Sequence, residues 1–123
     1  MRAAEFASLV LIATLLSCVP GTPPTIAPEP TPSNALEVVI YSYTYKPATL
    51  TVPVGSTVTW INKDLAPHTV TYHTYGKGEF DSGNVTNGKQ YTYRFRRVGQ
   101  YDYICALHQG MQGTVIVKDT VSH

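Results

Sequence analysis

Near the C-terminus, the run Cys105-Ala106-Leu107-His108-Gln109-Gly110-Met111 places a thiol, an imidazole and a thioether at even spacing, and a second imidazole, His68, lies far upstream. One soft thiolate, two nitrogens and one weak axial sulfur make up the donor set of a mononuclear blue-copper centre. Cu(II) and Cu(I) prefer different surroundings, and a fixed compromise between them lets one electron pass with little rearrangement. The short gaps on either side of His108 allow a tight loop to curl round one ion.

Other readings of the same residues are weaker. Cys105 alone would be a buried structural thiol, His68 a strand-edge histidine and Met111 core filling. A Cys105 nucleophile activated by His108 lacks a third, orienting residue and leaves Met111 without a role. Zinc rarely accepts a thioether, and the set would be idle for redox. A multicopper enzyme needs further ligands, and the chain has no His-x-His pair. His73 lies beyond the segment that delivers His68, and His123 ends the chain, so neither is expected to be a ligand.

Such donors need rigid elements to hold them. From about Asn34 to Asp119 the chain carries short β-type runs separated by turn residues, with no convincing helical period. Strands are expected at Leu36 to Tyr41, Thr49 to Val52, Thr57 to Asn62, His68 to Tyr72, Gln90 to Phe95, Gly99 to Ile104 and Thr114 to Lys118. Seven or eight strands at this spacing predict an all-β, antiparallel Greek-key sandwich. Val58 and Trp60 alternate with Thr57 and Thr59 and should face the core, as should Tyr91, Tyr93, Phe95, Tyr101 and Tyr103. Turns are expected at Pro53 to Ser56, Thr86 to Lys89 and Val98 to Gln100, and a surface loop at Tyr75 to Gly83 with Phe80 folding back onto the core.

The stretches Val58-Thr59-Trp60-Ile61-Asn62-Lys63-Asp64-Leu65-Ala66-Pro67-His68-Thr69-Val70 and Gly99 to Gly113 resemble the two ligand segments of the cupredoxins of the plastocyanin and amicyanin group. The C-x-x-H-x-x-M spacing is nearer amicyanin. The resemblance implies equatorial ligands His68, Cys105 and His108, an axial Met111, and a small blue copper protein that carries single electrons and transforms no substrate. It also implies that His108 is the electron port, ringed by a docking patch of Leu65, Ala66, Pro67, Ala106, Leu107 and Gly110 for transient redox partners. Thr69 replaces an asparagine frequent in the group and is expected to tie the ligand loops together less fully. The competing function is storage or delivery of copper, which favours more exposed, exchangeable ligands.

The N-terminal third does not read as part of the sandwich. Phe6 to Ser17 is an apolar run preceded by Arg2, of the length a signal peptide uses, and Leu15-Leu16-Ser17-Cys18 resembles a lipoprotein signal with cleavage before a lipidated Cys18. Residues 1–17 are thus expected to be the signal, 18–33 a Pro- and Thr-rich spacer, 34–119 the domain and 120–123 a tail. A periplasmic or cell-surface monomer tethered to the membrane by lipidated Cys18 is implied. The alternative use of Cys18, a disulfide to Cys105, is disfavoured because Cys18 is expected in a flexible segment while Cys105 has better-placed partners in its own loop. Net charge is +1, and the one basic cluster, Arg94, Arg96 and Arg97, reads as a solvated face; nothing points to nucleic acid.

Overall fold

The computed structural model describes residues 21, 26–31, 35–73 and 79–120. The expected signal, Cys18, most of the spacer, residues 75–78 of the expected surface loop, and His123 lie outside the described residues. Eight strands form: β1 Glu37–Tyr41, β2 Thr44–Lys46, β3 Thr49–Pro53, β4 Thr57–Asn62, β5 Thr71–Tyr72, β6 Gln90–Arg94, β7 Gly99–Ile104 and β8 Gln112–Lys118. They make two four-stranded sheets, ordered β2-β1-β4-β6 and β3-β8-β7-β5.

The sandwich is as expected, but its sheets are mixed rather than purely antiparallel. β1 runs parallel to β4 and β3 parallel to β8, because each of these pairs is joined through a crossover and not a hairpin. Strand β2 was not foreseen; it is three residues long and buries only Tyr45. The segment expected as a strand from His68 pairs regularly only at Thr71–Tyr72, with a single bridge from His68 to Val85. His68, Thr69 and Val70 are all buried, which no period-two strand with one wet face can achieve.

Alternation places Val58 and Trp60 on the inner face of one sheet, and Tyr101, Tyr103, Val115 and Val117 on that of the other. Trp60 and Tyr103 meet edge to face across the layer, with centroids 5.5 Å apart. Phe80 folds back as expected and packs on both Trp60 and Phe95, all three being buried. Tyr91 and Tyr93 are only partly buried at the margin of this core. Gly113 faces the Tyr103 ring so closely that a Cβ there would collide with it.

A tight turn joins β1 to β2, with Tyr41 paired to Thr44 and both central residues, Ser42 and Tyr43, in the left-handed region at φ 55° and 58°. Two positive φ values match the twist of a hairpin, though Asn-Gly is the usual sequence for it. This turn, the loop after β4 and the loop after β7 gather at one end of the sandwich.

Candidate metal centre

Three of the expected ligands converge at that end. His68 comes from the crossover that leaves β4 in one sheet for β5 in the other, Cys105 directly follows β7, and His108 lies in the loop between β7 and β8. Both rings turn Nδ1 inward: the two Nδ1 atoms are 3.1 Å apart, and Cys105 Sγ lies 3.8 Å from that of His68 and 3.4 Å from that of His108. Such separations suit donors about 2.0–2.3 Å from one common centre, the range of first-row metal–nitrogen and metal–sulfur bonds. Met111 is buried at the end of the same loop. That loop is closed by the Cys105 N–H donating to the Met111 carbonyl at 3.0 Å and the Met111 N–H to the His108 carbonyl at 3.3 Å.

Residues around the donors hold them in place. The Thr69 N–H points at Cys105 Sγ at 3.4 Å and donates to the sulfur. Thr69 Oγ1 accepts the Ala106 N–H at 2.7 Å, so the threonine does link the two ligand loops. Its carbonyl accepts the Tyr45 hydroxyl at 2.5 Å, which anchors the crossover to β2. The buried Asn62 side chain braces the loop ahead of His68, donating to the carbonyls of Ala66 and Val85 and accepting the Asp64 N–H, each at 2.8 Å.

Two residues at the site escaped the sequence reading. Asp64 Oδ2 lies 2.8 Å from His68 Nε2, the ring nitrogen directed away from the thiolate. The same carboxylate accepts the Ser42 and Tyr43 N–H groups at 2.7 and 2.9 Å. Partial burial pushes its pKa up, but the N–H groups of Tyr43 and Ser42 and then His68 outweigh this and hold it below the usual carboxylate value. Tyr43, exposed on its outer side, sets its ring edge to face with His68 and His108, at centroid distances of 5.2 and 4.9 Å. A carboxylate four residues before a ligand histidine was the available signal for Asp64; nothing local marked Tyr43.

His68 and Cys105 are buried, and His108 is half-buried. Of the residues expected to ring His108, Leu65 is 92% and Leu107 47% exposed, and Pro67, Ala106 and Gly110 are also exposed, while Ala66 is half-buried. Among the described residues Cys105 has no disulfide partner. His73 is exposed just beyond β5, its N–H bonded to the Asp102 carbonyl.

Residues 33–118 match the family of copper binding proteins described as the plastocyanin/azurin family. The chain belongs to that family. It is 33% identical over 95 residues to amicyanin from Paracoccus versutus, covering 76% of this chain and 72% of the relative. A single-substitution variant of amicyanin in its oxidised state superposes with a TM-score of 0.63 at 35% identity, covering 68% of this chain and 81% of that one. A purple cupredoxin from Nitrosopumilus maritimus superposes with a TM-score of 0.62 at 32% identity, covering 67% of this chain and 98% of that one. Family, fold and donor set agree: His68, Cys105, His108 and Met111 form a type 1 copper site, and the protein is a blue copper electron carrier.

Proposed function

We propose that this cupredoxin exchanges single electrons with transient protein partners at the apolar face around His108, and transforms no substrate. The observation that carries this reading is the contrast in exposure among the donors. Cys105 and His68 are sealed, whereas His108 is half-buried and Leu65, Pro67, Ala106, Leu107 and Gly110 are exposed. Copper held there supplies a one-electron Cu(II)/Cu(I) couple, and the thiolate provides strong electronic coupling. Cys105 and the two imidazoles hold the ion, Met111 offers the weak axial sulfur, and the hydrogen bonds from Thr69 and Ala106 keep the donors from rearranging as charge changes. A small, largely apolar rim suits redox encounters that bury less than about 1,200 Å² and part quickly.

Sealed thiolate and imidazole groups argue against storage or delivery, which needs ligands that exchange with a recipient. Export and lipidation at Cys18 complete the proposal: the Pro-rich spacer up to residue 33 would hold the domain clear of a membrane and leave its His108 end free to meet partners.

The first test is a visible spectrum of the protein with copper(II), before and after ascorbate. An intense band that bleaches on reduction, returns on oxidation and is absent in Cys105→Ser is expected. A weak band, with copper easily stripped by a chelator, would sink the carrier reading. Lipidation is checked by mass spectrometry of the protein from its native membrane, where an unmodified Cys18 would rule it out.

A further inference from the structure

The Asp64 carboxylate joins parts of the molecule that are remote in sequence. Oδ1 accepts the N–H of Ser42, and Oδ2 accepts the N–H of Tyr43 and contacts His68 Nε2, all between 2.7 and 2.9 Å. Its side chain is 11% exposed, and its backbone is fixed as well, by Asn62 on its N–H and by Asn87 Nδ2 on its carbonyl at 2.7 Å. Ser42 and Tyr43 hold left-handed backbone angles, which are costly for residues other than glycine. Two N–H groups converging on one anion offset that cost and set where the Tyr43 ring stands. That ring lies against both ligand imidazoles.

A charged acceptor on the outer nitrogen of a ligand imidazole fixes the tautomer, makes the inner nitrogen a better donor and stabilises the more positive state of the ion. Resting on the copper reading above, we propose that Asp64 is a positioning residue that sets the redox poise of the centre. It orients His68, favours Cu(II) over Cu(I) through its charge, and through the Ser42–Tyr43 turn holds Tyr43 as a cover over both histidine rings. Ligand orientation and the shielding of the port thus depend on one side chain. No electron passes through Asp64, which acts by way of His68 and the turn.

The test uses the full-length copper-loaded protein. In the reduced, diamagnetic form, the His68 Nε2 proton should give a long-lived NMR signal; rapid exchange of that proton with water would overturn the proposal whatever the variants do. In Asp64→Asn and Asp64→Ala the blue band should persist, and at a fixed solution potential the Cu(II):Cu(I) ratio should fall about tenfold relative to wild type. Tyr43→Leu, which keeps the carboxylate and both turn N–H groups, should shift that ratio far less. An unchanged ratio in both Asp64 variants would reduce Asp64 to a tie for the turn, and an equal shift in Tyr43→Leu would transfer the effect to the cover. Failure of the wild-type protein to show a reversible blue band is a different result, and overturns the copper reading itself.

Discussion

Thr69 shows how much rests on single atoms at this centre. Its N–H points at the thiolate, its Oγ1 accepts from Ala106 and its carbonyl accepts from Tyr45, so three directions of one residue bind crossover, ligand loop and β2. Thr69→Val keeps the shape and removes the hydroxyl, leaving the Ala106 N–H without its acceptor and breaking the 2.9 Å hydrogen bond to Thr71 Oγ1. A loss of about 1–3 kcal/mol is expected, read from the urea midpoint of the copper-free protein. At this scale the four ligands were legible, since C-x-x-H-x-x-M fixes three donors within one loop and Pro67-His68 marks the fourth. Asp64 and Tyr43 were not, because their roles arise from meetings across about twenty residues of sequence, between the β1–β2 turn and the loop after β4. Threonine at 69 still links the ligand loops through one bond, its short hydroxyl reaching the Ala106 N–H at 2.7 Å.

Among the elements, strands with one wet and one dry face were read well. β4 and β7 have the boundaries expected of them, since Val58 and Trp60, and Tyr101 and Tyr103, alternate with exposed or half-buried neighbours. The Thr86 to Lys89 turn also forms where Asn87-Gly88 marks it, with Gly88 at φ 78° and the Lys89 N–H on the Thr86 carbonyl. Parallel pairing of β1 with β4 was not legible, because the choice of neighbour is made by distant chain that alternation does not record. Gly113 lies one residue ahead of the start expected for the last strand. It makes room for the Tyr103 ring, and Gly113→Ala should destabilise the fold by about 1–3 kcal/mol through overpacking, measured as a fall in denaturant midpoint.

Over the whole molecule, charge and titration give two further expectations. Burial pushes the phenols of Tyr45 and Tyr103 well above the ordinary tyrosine pKa, with Cys105 and then Tyr103 adding to the effect at Tyr45. In the unfolded chain these groups ionise near pH 10, and in the folded protein they resist, so their contribution is fully present below about 10 and is lost as pH rises beyond it. Melting temperature should therefore hold steady to about pH 9.5 and fall steeply above it, less steeply in Tyr103→Phe. At the His108 face, Leu107→Lys would bring like charges together whenever two copies meet there. Electron self-exchange between oxidised and reduced protein, read from NMR line widths, should slow by about tenfold or more, with the blue band unchanged. An unaltered rate would place the contact face elsewhere. The site also has a mechanical side, for His68 sits on the crossover between the two sheets and Cys105 at the end of a strand in one of them. An ion clasped between those segments staples the sandwich shut, and no single side-chain rotation frees it. Its escape must wait for the crossover to peel from the loop, so removal by excess chelator should follow first-order kinetics, at a rate independent of chelator concentration and equal to that of local opening.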